Sequence, residues 1–562
     1  MQRRPEVVPI VNAVREFVLA GGVPTAGDGL PPIDDPRFAI SPGTRSGRLR
    51  RSWLDTFDWR LFRAGLILEY RLTRAGHGEL LLTDRDGDPV AAETLTGAAA
   101  AVPRRPFLPG ALPLGPVRER LMSVTTIRAM LPVATAASTL TEHRAVNTDD
   151  KTIARIVVER MTVLPAPKPG ATIPGAPKPG AATDGAAADG AAADGAPAPG
   201  ASDRIAIIPL RGYQAQADRF AELVEQAPGF GPAAHSAFET ALAAAGRRPG
   251  DYTSKINVEL ADDLPAAHAL AAILGRLFEV ALANRDGTIA DIDTEFLHDL
   301  RVSVRRTRSV LKIARSALPP SLTERYRPEF KWLGDLTTPT RDLDVFLLTY
   351  PSMADGLIGA SADELEPFRD YLRQQRTTAH RRLVRGLRSA RFARLAEDWQ
   401  RDLARLASSS RHRPVTGPYA AARIARTHRD VLRTGAAVTE GSAPAALHEL
   451  RKRCKELRYA LEVFASLHEP AQHWRAVNEL KTLQDVLGEF QDTEVQRARL
   501  RGFAAQMIGQ GVPATALLAM GEIGAQLAVR QQAARAEFAG RFAAFSSPQG
   551  QARITALTGA AR

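Results

Sequence analysis

An internal repeat constrains this chain more than any other feature. HDLRVSVRRTRSVLKIA begins at His298, and HELRKRCKELRYALEVF begins at His448, 150 residues later. The same register pairs Arg301 with Arg451, Arg305 with Lys455 and Arg308 with Arg458. Further on it pairs Lys331 with Lys481, Asp335 with Asp485 and Asp342 with Asp492. A register that runs ungapped from 298 to 345 marks two copies of one unit. Apolar residues in each copy recur at three- and four-residue steps: Leu300, Val304 and Leu311, then Leu450, Cys454, Leu457 and Leu461. That spacing predicts helices with one buried face. Helical periodicity starts near 264 and runs to about 545, broken at Pro319-Pro320, Pro414 to Pro418 and Pro444. Eight or more helices packed as bundles are expected there.

A second pattern overlies the apolar one. His298, Arg301, Arg305, Arg308 and Lys312 are spaced three and four apart, so they share one helix face. His448, Arg451, Lys455 and Arg458 repeat the stripe. Like charges at this spacing cost a helix a few tenths of a kcal/mol per pair. Acids at i+4 would relieve that cost, and the stripe positions hold none, which points to an external anion. Residues 373–413 add 12 Arg against three acids, with Arg381, Arg385 and Arg388 in step. Arg423, Arg426, Arg429 and Arg433 continue the field. A charged stripe is commonly a solvated face; its recurrence at one register is what favours anion binding. Lys331 and Lys481 are expected to reach the groove. Asp342, Asp344, Asp485 and Asp492 are expected to pair with stripe arginines.

Composition narrows the ligand. The net charge is +12, and residues 254–562 carry 45 Lys+Arg against 35 Asp+Glu, whereas residues 1–253 carry 29 against 27. A polyanion partner therefore belongs to the second half. Near the stripes only Tyr459 offers an aromatic face, too little for stacking bases. A phosphate chain without bases fits better, and duplex backbone binding stays open, since charge neutralisation alone drives it. The single cysteine, Cys454, excludes an intrachain disulfide framework and cysteine-rich zinc sites. The Glu-x-x-His pairs of bundle metal proteins are missing, so neither metal nor cofactor is expected. No signal peptide or membrane span is expected, and the cytoplasm is the default location.

Ahead of the helical half the pattern changes to period two. LILEYRL (66–72), GELLLTD (78–84), ARIVVERMTVL (154–164) and RIAIIPL (204–210) read as strands, with DRDGDP (84–89) a turn and a helix over 213–227. Residues 165–201 are a Pro/Gly/Ala repeat, expected as a low-complexity insertion. The expected organisation is a β-rich domain over 1–230, a linker over 231–258, a helical domain over 259–545 with copies at about 264–405 and 418–545, and a tail over 546–562.

The paired motifs HDLRVSVRRTRSVL…FKWLGDLTTPTRDLDV and HELRKRCKELRYALEVF…LKTLQDVLGEFQD resemble the CHAD domain. The resemblance implies two four-helix bundles related by a pseudo-twofold, and a basic central surface that binds inorganic polyphosphate. By motif position its binding residues fall on His298, Arg301, Arg305, Arg306, Arg308 and Lys312, and on His448, Arg451, Lys452, Lys455 and Arg458; Lys331 and Lys481 follow the same logic. Leu487-Gly488 keeps the family's Leu-Gly, but the first copy has Leu336-Thr337, which implies a differently shaped loop there and leaves Arg341 outside the expected set.

WLDTFDWRLFRAGLILEYRL (53–72) resembles a divergent CYTH domain, the triphosphate-tunnel fold, which implies an antiparallel tunnel or barrel. The family's Glu-x-Glu-x-Lys strand is absent, and Glu69 and Glu159, its candidate remnants, are expected as surface carboxylates, so no catalytic residue is assigned. The leading expectation is a polyphosphate binder, located in the cytoplasm or at polyphosphate granules. Its rivals are a metal-dependent triphosphatase in the first domain and a nucleic-acid backbone binder.

Overall fold

The computed structural model describes residues 15–19, 30, 33–73, 76–165, 201–409 and 414–559. The low-complexity segment expected at 165–201 lies, apart from its ends, outside the described residues. The chain divides into two compact units, 1–253 and 254–562.

The first unit is one antiparallel sheet. Its strands are β1 (Arg15–Leu19), β2 (Phe38–Thr56), β3 (Leu66–Thr73), β4 (Gly78–Asp84), β5 (Pro89–Leu95), β6 (Met130–Asn147), β7 (Thr152–Leu164), β8 (Ala201–Pro209) and β9 (Phe230–Pro232), in the spatial order β5-β4-β3-β2-β6-β7-β8-β1-β9. The strands expected at 66–72, 78–84, 154–164 and 204–210 are β3, β4, β7 and β8. β8 pairs with β7, Ile207 opposite Ile156, so the strands flanking the low-complexity segment are neighbours in one sheet. Helices α1 (Arg60–Arg63), α2 (Pro116–Thr125), α3 (Gln214–Gln226) and α4 (Ala237–Ala244) cover it. Strand alternation sends Leu68, Tyr70, Leu80 and Leu82 into a core with Val117 and Leu121 of α2, while Ile156, Val158, Ile205 and Ile207 pack with Phe220 and Val224 of α3. The opposite alternation sends Arg51, Glu69, Arg71 and Glu159 to a cavity of about 1070 Å³.

The expected linker over 231–258 is folded. β9 pairs with β1, and α4 starts at a capping box of Ser236 and Glu239 and buries Phe238 and Leu242 beside Trp53 and Met161. Within the second unit, Ile256 and Val258 pack onto its helical core.

That unit contains α5 (Ala266–Ile289), α6 (Thr294–Ile313), α7 (Pro320–Asp355), α8 (Ala362–Leu387), α9 (Ala390–Ala407), α10 (Thr416–Ala436), α11 (Pro444–Val463), α12 (Pro470–Ile508), α13 (Ala514–Ser546) and α14 (Pro548–Thr555). α5, α6 and α7 begin 150 residues before α10, α11 and α12. Pro320, Pro444 and Pro470 stand at first helical positions, where the missing N–H costs nothing, so the prolines that break the pattern also start the helices. One core joins α5, α6, the first half of α7, α9 and the end of α8; a second joins α10, α11, the first half of α12, the end of α13, and α14. The expected tail is therefore folded in part: Ile554 and Leu557 belong to the second core.

A third core was not expected. Leu343, Phe346 and Tyr350 of α7, Phe368 and Leu372 of α8, Leu500 of α12, and Met520 and Ile523 of α13 meet in it. It draws on both copies. By length and composition alone α5 could cross a bilayer, but it carries Arg276 and Glu279, and Leu270, Ile273, Leu274 and Leu277 are buried in the first core.

Candidate anion-binding site

The stripe helices α6 and α11 pack against each other, with the apolar faces turned into their own cores and the basic faces toward a shared cleft. Two hollows make up that cleft. One, of about 480 Å³, is lined by His298, Arg301, Arg305, His448, Arg451 and Lys455, with Arg341 and Asp342 from α7 and Asp492 and Arg499 from α12. The other, of about 670 Å³, is lined by Arg305, Arg308, Lys312, Lys452 and Lys455, with Glu324, Arg327 and Lys331 from the start of α7 and Glu456 and Tyr459 from α11. Arg305 and Lys455, equivalent in the two copies, line both and form a waist. Together the hollows carry eleven Arg and Lys against four acids. From His298 to Lys312 the stripe runs about 21 Å at helical rise.

The cleft is partly compensated. Arg451 meets Asp492 at 2.8 Å, Arg499 meets Asp342 at 2.5 Å, and Lys312 pairs with Glu456. Arg305 and Arg308 carry no ion pair among the described residues. Arg341 has a buried Nη1 without a hydrogen-bond partner. Burial, with Arg451, Arg305 and Arg301 nearby, lowers the Lys455 ammonium to about 8 against the pull of Asp492. Burial and the neighbouring Arg305, Arg341 and Arg499 lower Arg301 as well, although Asp342 opposes them. A cleft in which cations depress one another has charge to share with an incoming anion. His448 Nδ1 lies 2.5 Å from Gln491 Oε1.

Several expected residues stand elsewhere. Arg306 and Arg458 are drawn to Glu462, at 3.1 and 2.7 Å, one helical turn beyond the second stripe. Lys481 on α12, Arg381 and Arg385 on α8, Arg388 just after it, and Arg426 on α10 line neither hollow; they are exposed on their own helices. Asp344 pairs with Arg376 of α8 at 2.5 Å, not with a stripe arginine, and Asp485 lines neither hollow. Leu336-Thr337 and Leu487-Gly488 sit inside α7 and α12, so no loop exists to differ. Arg341, left outside the expected set, faces the cleft, as do Arg327 and Arg499, which no pattern in the sequence singled out.

In the first unit, Glu69 and Glu159 are buried rather than on the surface. Arg51 donates from Nε to Glu69 at 2.6 Å and from Nη1 to Glu159 at 2.7 Å; Arg71 adds a bond to Glu69 at 2.8 Å and Ser138 one to Glu159 at 2.5 Å. Burial alone would raise Glu69, but Arg51 and Arg71 hold it well below the ordinary carboxylate range. Around this cavity six arginines face seven acids, a near balance unlike the helical cleft. Both carboxylates, Glu69 and Glu159, are engaged by the Arg51 guanidinium.

Two copies of one helical unit, sharing a cation-rich cleft between their equivalent helices, define a duplicated all-α domain. Residues 272–501 match the CHAD domain family, and this part of the chain is a CHAD domain. An uncharacterised protein of Mycobacterium tuberculosis strain H37Rv is 28% identical over 225 residues, 38% of this chain and 42% of that protein; its counterpart in strain CDC 1551 is 27% identical over the same length and shares. The match thus spans less than half of these relatives. Among solved structures, the CHAD domain from the plant Ricinus communis is 26% identical with a TM-score of 0.44, covering 52% of this chain and 96% of that one. PptA from Streptomyces chartreusis is 19% identical with a TM-score of 0.40, covering 50% and 99%.

Proposed function

We propose that the second unit binds inorganic polyphosphate in the cleft between α6 and α11, and that this binding recruits the protein to polyphosphate granules. The observation that carries the reading is the waist: Arg305 carries no ion pair among the described residues, Lys455 is depressed by burial and then by its arginine neighbours, and the orphaned Nη1 of Arg341 lies alongside. Guanidinium forks suit tetrahedral oxygens, and release of counterions from the polyanion drives association. With two aromatics lining the cleft, Phe346 and Tyr459, and both of them buried, the geometry favours a ligand without bases.

The test reverses the waist. Arg305→Glu with Lys455→Glu should weaken long-chain polyphosphate binding by roughly two orders of magnitude, since like charges now face the chain. Helicity and melting should stay near those of the parent. The parent's binding should fall steeply with salt, each neutralised phosphate adding about 0.7–0.9 to the log–log slope. Unchanged binding in the double variant would sink the reading. Duplex DNA displacing polyphosphate more readily than the reverse would transfer the cleft to the nucleic-acid alternative.

A further inference from the structure

The repeat is close to symmetric at the waist and differs beyond it, in the number of cations and in how they are held. On the first copy's side the cleft continues past Arg305 along Arg308, Lys312, Arg327 and Lys331, with Lys452 facing them from α11. The 150-residue register places Arg458, Glu462, Val477, Lys481 and Val302 at the equivalent positions. Five cations and two acids, Glu324 and Glu456, on one arm thus correspond to three cations, Arg306 among them, one acid, two valines and Trp474 on the other; of the five, Lys312, Lys331 and Lys452 are paired with Glu456, Asp335 and Glu449.

Local packing reinforces the difference. Gly334 leaves space beside Arg308: a Cβ there would stand 2.9 Å from its Nη1. The equivalent residue is Gln484, whose Oε1 accepts from Arg458 Nη1 at 3.2 Å while its amide donates to the Cys454 carbonyl at 2.7 Å. Arg458 is further held by Glu462, which also takes Arg306 from the first copy. Arg308 is unpaired among the described residues, and Arg458 is tied down twice.

We propose that a linear polyanion occupies the cleft on one arm only, running from the histidine-lined hollow across the Arg305–Lys455 waist and out along Arg308, Arg327 and Lys331, and that Glu462 closes the second arm and so limits the length of chain held. This deepens the polyphosphate reading and rests on it. The predicted chain path is polar in the sense of direction: equivalent helices of a duplicated domain make unequal contributions.

The experiment measures binding of tripolyphosphate and of long-chain polyphosphate to the full chain at fixed salt. Glu462→Gln removes the charge that neutralises Arg306 and Arg458, leaving Arg458 its bond to Gln484 and Arg306 its bond to the Ser254 carbonyl. It should tighten long-chain binding roughly fivefold and steepen the salt slope by about one to two units, leaving tripolyphosphate unchanged. Lys331→Gln should weaken long-chain binding two- to threefold or about that, whereas Lys481→Gln, at the equivalent position on the closed arm, should not. Both are exposed lysines, so folding is not at stake. Equal losses from the two lysine variants, or no gain from Glu462→Gln while the waist reversal still abolishes binding, would overturn the one-arm path and leave the polyphosphate reading standing. Persistence of binding after the waist reversal is the separate result that removes that reading.

Discussion

If the proposed polyphosphate reading holds, Lys455 should make the affinity depend on pH in a window where the interior phosphate oxygens of the chain do not titrate. Its ammonium is lowered to about 8 in the free cleft, and its ordinary value is 10.5. A bound polyanion favours the charged form, so binding takes up a proton wherever free Lys455 is neutral. The sign is fixed: affinity is highest below pH 8 and falls as pH rises through 8 and beyond. Were the ordinary value fully restored on binding, affinity would drop about tenfold between pH 7 and 9. Lys455 is only partly buried, and solvent screening reduces this to roughly three- to fivefold. The assay is a titration with long-chain polyphosphate at constant ionic strength from pH 7 to 9.5, on the parent and on Lys455→Arg. Arginine does not titrate in this range, so the variant should bind at least as tightly and show a flat profile. A flat parent profile, or the same slope in Lys455→Arg, would refute the argument that neighbouring guanidiniums set this charge.

Other outcomes follow from single contacts. Arg341→Gln should weaken polyphosphate binding several-fold with a melting temperature within a degree or two of the parent, because the group removed has an unpartnered Nη1; lost stability with intact binding would make it structural. Arg51→Met leaves Glu69 with Arg71 alone and Glu159 with the Ser138 hydroxyl and no ion pair among the described residues, and should destabilise the first unit by about 3–5 kcal/mol, read as an early-melting transition in calorimetry. An unshifted melt would mean water reaches that network. In the parent, Cys454 should resist a thiol reagent at pH 8, since burial pushes its thiol up to about 12; rapid labelling would show the α11 face opening.

The helical half was legible because a duplication writes its register twice. The breaks at Pro320 and Pro444 became helix starts, and the pairing of Arg305 with Lys455 became the waist. What escaped were interactions beyond one helix. Glu462 lies outside the stripe as read from 448 to 458, and only the crossing of α6 and α11 brings it onto Arg306. Arg341 and Arg499 belong to helices whose burial alternates between two different cores along their length, so no single period marks their exposed side. In the first unit, β2 and β6 lacked a readable signal: FAISPGTRSGRLRRSWLDT carries Pro and Gly within a strand, and MLPVATAASTLTEHRAVN spends its inward positions on Ala, Thr and Ser. Glu69 and Glu159 looked like surface groups because alternation alone does not say that the inner face encloses a charged cavity. The folded stretch from 230 to 245 was hidden by its Gly and Ala content, although Ser236 and Glu239 spelled a helix start.

The hydrophobic cluster assembled from the far ends of α7, α8, α12 and α13 has a mechanical corollary. Because both repeats contribute to it, neither can swing independently about the waist, and separating them would expose Phe346, Phe368 and Met520 to water. The spacing between the two rows of guanidiniums is thus set before any ligand arrives. On the polyphosphate reading, the cleft would serve as a fixed rail for the chain, not as a pair of jaws that shut upon it.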